Sequence, residues 1–225
     1  MRVDPVLASI IKQVGPCGLA DIPHVPPFMA LAEAIASQQL SAKAADTIFG
    51  RFCALFEDQK PDPARLLTLH NDDIRRVGFS RSKVLFLRDL ATHVVEQRLQ
   101  LDSLHEREDD HIIEQLTAVK GIGPWTADIF LMFRLKRPDI FPADDLGLIK
   151  GAQKVYGLRQ RPTKQRLLKM AEAWRPYRSV AAWYLWRSLS LNAEQGRRHK
   201  AKGKNENGKI GKGAAPPVAT KRKSA

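Results

Sequence analysis

LTAVKGIGPWTADIFLMFRLKRPDIFPADDLGLIK, residues Leu116 to Lys150, places a glycine turn at the mouth of one helix and a pair of aspartates at the mouth of the next. HIIEQLTAV, His111 to Val119, carries apolar residues at helical spacing. Lys120 then leads into Gly121-Ile122-Gly123, where glycine lets the backbone turn tightly and a ligand approach. Pro124 suits a first helical position, since its fixed φ and missing donor cost nothing there. The helix WTADIFLMFRL that follows offers backbone amides and the positive end of its dipole, both suited to a phosphate oxygen. An ordinary turn between two packed helices would read much the same, and GxG alone is weak evidence.

The aspartates strengthen the reading. Phe141-Pro142-Ala143-Asp144-Asp145 precedes Leu146-Gly147-Leu148-Ile149-Lys150, so a carboxylate lies where a helix dipole favours its charge. One aspartate is enough for an N-cap; the second is then available to face a cleft.

Outward from this stretch, apolar residues recur at helical spacing in VLASIIKQV, MALAEAIA, AADTIFGRFCALF, SKVLFLRDLATHVV, RLLKMAEAW and VAAWYLWRSLSL, with no alternating strand run. Segments rich in Pro, Gly and Asp, such as Gly15 to Pro27 and Lys60 to Pro63, break the helices. The expected fold is all-α. A chain of 225 residues, 44% hydrophobic, can bury one sizeable core or two small lobes. No fixed-period repeat is evident.

Four motifs in order, AIASQQLSAKAA (Ala34 to Ala45), KGIGPWTAD, PADDLGLIK and WRPYRSVAAWYLWR (Trp174 to Arg187), resemble the helix-hairpin-helix DNA glycosylase superfamily, in particular its DNA-3-methyladenine glycosylase II branch. The resemblance runs from about residue 5 to 193. It implies a two-lobed helical bundle with an active-site cleft between the lobes over residues 1–196. Only about 30 residues precede the Ala34 motif, so the compact form without an N-terminal β domain is expected.

The resemblance assigns the catalytic role to Asp145, with Asp144 as neighbouring cap or helper. Bifunctional relatives carry a nucleophilic lysine two residues after the second hairpin glycine, where this chain has Trp125. Without that amine no Schiff base forms, so a monofunctional enzyme that leaves an abasic site is implied. The chemistry agrees, because breaking an N-glycosidic bond builds positive charge on the deoxyribose, which an ionised carboxylate stabilises. An alkylated purine leaves as a neutral base with little acid assistance. Aromatic faces attract the cationic lesion by roughly 0.5 to 2 kcal/mol.

Trp125 and Trp186 are therefore candidate pocket residues, with core packing the equal alternative, whereas Trp174, Trp183 and Tyr184 read as core. Ile129 stands where some relatives carry tyrosine. Lys120, Gly121, Gly123 and Thr126 are the candidate DNA contacts of the hairpin. In the Gln38-Gln39-Leu40-Ser41 loop, Gln39 is the first choice and Leu40 the second for the wedge that fills the vacated base stack, with Ser41 capping the next helix. In Gly78-Phe79-Ser80-Arg81-Ser82-Lys83, Gly78 permits a turn, Ser80 or Ser82 caps, and Arg81 or Lys83 lies near phosphate. Arg178 is expected to pair with an acidic group.

Two cysteines, Cys17 and Cys53, exclude a four-cysteine Fe–S cluster within this chain and fit reduced thiols. The histidines show no metal-ligand spacing. No metal or cofactor is expected, apart from a structural monovalent cation on the hairpin carbonyls. Without a signal pattern or a membrane-length apolar run, a cytoplasmic, chromosome-associated monomer is expected. Of the net charge of +13, residues 197–225 hold +9, from ten Lys or Arg against Glu206. This tail is expected to be disordered and to add salt-sensitive phosphate contacts. The expected partner is duplex DNA containing alkylated bases. A noncatalytic DNA-binding module, or a glycosylase for deaminated or etheno bases, remains the alternative reading.

Overall fold

The computed structural model describes residues 4–202, with side chains described over residues 4–191. Among the described residues there are eleven α-helices and no strand, as the periodicity requires. None of these helices is long and apolar enough to cross a membrane. The chain divides into two units, residues 1–22 with 136–225, and residues 23–135.

The first unit joins the two ends of the chain. Helix α1 (Pro5–Val14) packs with α9 (Leu146–Val155) and α11 (Arg178–Lys202), and α10 (Lys164–Ala171) lies between the last two in sequence. Asp4 caps α1 by accepting from the amides of Val6 (3.0 Å) and Leu7 (2.9 Å). The same carboxylate accepts from Tyr156 Oη (2.6 Å) and Trp174 Nε1 (3.0 Å), tying the N-terminus to the C-terminal helices. Burial pushes the Asp4 carboxyl upward, but its four hydrogen bonds outweigh that and hold it below the usual carboxylate value. Burial and the facing carboxylate raise the Tyr156 phenol well above its ordinary value.

Helices α9 and α11 approach closely because Gly151 lies between them: a Cβ there would come within 2.5 Å of the Leu185 carbonyl oxygen. Trp174, Trp183 and Tyr184 are buried, as expected for core. Helix α11 runs on through Lys202, past the expected 196/197 boundary, and the remainder of the basic tail lies outside the described residues.

The second unit contains α2 (Pro27–Ser37), α3 (Ala42–Cys53), α4 (Pro63–Thr68), α5 (Asn71–Arg76), α6 (Arg81–Val95), α7 (Asp109–Thr117) and α8 (Pro124–Phe133). Its core includes Leu31, Ile35, Phe52, Leu87, Ile112, Leu116 and Leu131, all fully buried and each contributing about 1.5–3 kcal/mol by leaving water. Phe52 meets Phe56 and Phe79 edge-on, with ring centroids 5.1 and 5.3 Å apart. Arg88 donates to the carbonyls of Leu67 and Leu69, satisfying the end of α4 from α6.

Ser41 and Ser80 cap α3 and α6, accepting from the amides of Ala44 and Lys83. Gly78, at φ +119°, makes the turn before α6, with no room for a Cβ beside Ile48.

Candidate active site

Residues Arg137 to Ile140, which lead to the aspartate pair, are fastened to the start of α11. Asp139 accepts from Arg178 Nε at 2.8 Å and Nη2 at 3.1 Å, while Arg178 Nη2 also donates to the Asp139 carbonyl at 2.8 Å. Partial burial acts to raise the Asp139 carboxyl, and the Arg178 guanidinium overrides it, holding it below the usual range. Ser179 Oγ donates to Arg137 O at 2.7 Å and accepts from Ile140 N at 2.9 Å. The chain then reaches the mouth of α9 with its direction set.

Asp145, half-buried, is itself the N-cap of α9. Its Oδ1 accepts from Leu148 N and from Trp186 Nε1, each at 2.7 Å. Of the two expectations for Asp144, cap or helper, this corrects the first. Asp144 instead is exposed and pairs with Lys164 Nζ at 2.5 Å. Such a surface pair contributes about 0–1 kcal/mol, and the Asp144 side chain does not cap α9. Two donors on one oxygen fix the orientation of the Asp145 carboxylate at the mouth of α9.

Trp186 comes from α11 and is half-buried beside Asp145. Its position depends on Gly147, where a Cβ would lie 2.8 Å from Asp145 Oδ1 and 2.9 Å from the indole Cδ1 and Nε1. Gly147 and Gly151, four apart, thus put the small side of α9 against α11. Sequence reasoning missed this pair, although two glycines one turn apart inside a helix, each costing about 1 kcal/mol relative to alanine, were a signal for close packing.

The hairpin belongs to the second unit. Gly121, at φ +83°, makes the turn, and a Cβ there would strike the Phe86 ring at 2.3 Å. Gly123 has an ordinary φ of −95° and serves as the N-cap of α8. Nothing lies within 4 Å of where its Cβ would be, so the approach to the helix mouth is open. Ala127 N donates to Gly123 O at 3.0 Å, so the amides of Trp125 and Thr126 lie in the first turn of α8, where donors face outward.

The Thr126 side chain is buried, only 7% exposed, which limits its expected DNA contact to the backbone amide. Trp125 is 46% exposed, which removes the core-packing alternative. Lys120 projects into solvent; its amide donates to Asp89 Oδ2 at 2.8 Å and its ammonium lies 3.6 Å from Asp89 Oδ1.

Val119 O accepts from Ile122 N at 3.1 Å and Gly121 O from Gln38 Nε2 at 2.7 Å. Among the described residues no group of three or more His, Cys, Asp or Glu could hold a metal ion.

Gln39 and Leu40 are both exposed, and Gln39 adopts φ +58°. Lys83 departs from its expected place near phosphate. Its ammonium is partly buried and donates to the carbonyls of Ala36 (2.8 Å) and Gln38 (2.6 Å), closing the end of α2. Burial lowers its pKa accordingly. Arg81 stays exposed.

A turn of two glycines thus feeds one helix mouth, and an aspartate caps the next α-helix along the chain. The model of the HhH-GPD superfamily base excision DNA repair proteins matches residues 32–176, and the chain belongs to that family. It is 38% identical over 167 residues to DNA-3-methyladenine glycosylase 1 of Schizosaccharomyces pombe, covering 73% of each chain. Among solved structures, it resembles the S. pombe 3-methyladenine DNA glycosylase in complex with abasic DNA, with a TM-score of 0.72, 33% identity, and 82% and 91% of the two chains covered. The DNA-3-methyladenine glycosidase of Bacillus halodurans gives a TM-score of 0.72 at 35% identity, covering 87% and 95%.

Proposed function

We propose that this protein is a monofunctional DNA glycosylase of base-excision repair, hydrolysing the N-glycosidic bond of alkylated purines in duplex DNA. The observation that carries the reading is Asp145, whose Oδ1 is held by Leu148 N and Trp186 Nε1 at 2.7 Å each. As the base departs, positive charge grows on the deoxyribose. A carboxylate oriented in advance stabilises that charge without reorganising, an effect of about 3 kcal/mol or more for a preorganised site. A pure DNA-binding module has no use for this arrangement, because a carboxylate near the DNA face repels phosphate. An alkylated purine already carries positive charge and leaves neutral, so a single carboxylate suffices. The names of the S. pombe and B. halodurans relatives agree with 3-methyladenine as one such base.

The hairpin grips the DNA backbone through the amides after Gly123 and the exposed Lys120. A cation on the hairpin carbonyls would add positive charge on the phosphate side. Gln39 and Leu40 occupy the space of the extruded base, and Trp125 and Trp186 contribute aromatic surface. Trp125 in place of a lysine leaves the product an abasic site in an uncut strand. The basic tail strengthens attraction at low salt.

The test is incubation of the protein with methylated duplex DNA, with chromatography of released bases and denaturing electrophoresis of the strand before any alkali. Free 3-methyladenine or 7-methylguanine with an intact strand is expected. No free base from DNA that the protein binds would refute the reading, and strand cleavage in step with base release would refute its monofunctional part.

A further inference from the structure

The loop that carries Gln39 and Leu40 is fixed from two sides within the second unit. Lys83 Nζ donates to the carbonyls of Ala36 and Gln38 from α6. The half-buried Gln38 side chain reaches across 83 residues of sequence, and its Nε2 donates to the carbonyl of Gly121 at 2.7 Å. Leu40 N closes the turn onto Ser37 O at 3.2 Å. Between these anchors Gln39 sits at φ +58°, a left-handed conformation that a non-glycine residue keeps only where its surroundings over-determine it. The acceptor is equally constrained, because Gly121 has φ +83° and the Phe86 ring fills the space beside it.

We propose that Gln38 is a positioning residue whose amide fastens the exposed Gln39–Leu40 turn to the Gly121 carbonyl, so that the hairpin and the wedge move on DNA as one body. This rests on the glycosylase reading above. A wedge can replace a stacked base only if its own loop does not yield, since extrusion costs unstacking and unpairing before any pocket contact forms. With Gln38 bonded to the hairpin, force on the wedge is borne by the element that grips the backbone. Without that bond, only Lys83 and the local turn hold the loop, and the wedge recoils while the hairpin still binds. Gln38 touches neither base nor sugar in this account. It acts through Gln39 and Leu40.

The test compares wild type with Gln38→Leu, which lacks the amide, and Gln38→Glu, which keeps the size but offers no N–H. Single-turnover release of 7-methylguanine is measured from two duplexes, one with the lesion paired to cytosine and one with it opposite an abasic-site analogue, where extrusion is already cheap. Both variants are expected to lose about tenfold on the paired lesion and to stay within about threefold of wild type opposite the abasic analogue, with affinity for unmodified duplex within about twofold. Equal losses on both duplexes would indicate general destabilisation and overturn the proposal, as would wild-type rates on both. If the wild type itself binds but releases no base from either duplex, the glycosylase reading fails, and the proposal with it.

Discussion

Asp145 is held in place by donors, the Leu148 amide and the Trp186 indole, both directed at one oxygen. The turn at Gly121, though its carbonyl accepts from Gln38, is shaped by exclusion: its backbone turns at φ +83° and the Phe86 ring fills the space a Cβ would need. The first region is sensitive above all to a change of functional group at Asp145 or Trp186. The second is sensitive above all to a gain of atoms at Gly121. On the proposed function, catalysis at Asp145 and DNA gripping at the hairpin therefore fail in different ways, and substitutions can separate them.

The two largest effects fall one in each region. Asp145→Asn lowers base release by about 10²–10³ with the fold intact, in the range seen when a preorganised charge-stabilising group is removed. Gly121→Ala combines left-handed strain with overpacking against Phe86 and costs about 2–5 kcal/mol, lowering the melting temperature by roughly 5–15 °C. Thermal unfolding checks the latter, and a melting temperature unchanged by Gly121→Ala would break the contrast. Next come Trp186→Phe, which removes one charge-assisted donor, and Gly147→Ala, which pushes the indole off the carboxylate. Each reduces single-turnover release by about tenfold with smaller effects on affinity, consistent with a bond of about 1.5–3 kcal/mol to a charged group.

A smaller effect is expected with acid. Asp4 and Asp139 have folded-state pKa values below their unfolded value of 3.8, so the stability they add is fully present above that value and is lost as pH falls through the folded values. Melting temperatures followed from pH 6 downward should fall less steeply below about pH 4 in Asp139→Asn than in wild type. Least of all, Trp125→Lys should introduce no more than trace strand cleavage in an electrophoretic assay, since an amine alone lacks the surrounding lyase geometry.

The longer helices were legible because each carries an apolar face at its own period, whereas α4 and α5, six residues each, are too short to show one; the caps Ser41 and Ser80 were legible because a hydroxyl before such a face has few other uses. A carboxylate at the mouth of α9 was legible from the aspartate pair at the head of LGLIK. That Asp145 is the one that caps was not, because sequence cannot tell which of two adjacent carboxylates turns back on the helix. Lys83 was misread for a related reason: a lysine beside a cap looks solvent-facing until the open carbonyls of α2, 47 residues earlier in the chain at Ala36, claim it. The Gln38–Gly121 bond and the passage of Trp186 over Gly147 are long-range packing events that leave only faint local signals. The glycine pair in α9 was the one signal that could have been followed.

The most direct measurement is single-turnover release of 3-methyladenine from methylated duplex by wild type and Asp145→Asn, each at saturating protein, with duplex affinity and melting temperature measured on the same preparations. The account predicts equal affinity and stability, with release by the variant at about one hundredth of wild type or less. Release by Asp145→Asn at the wild-type rate would contradict it.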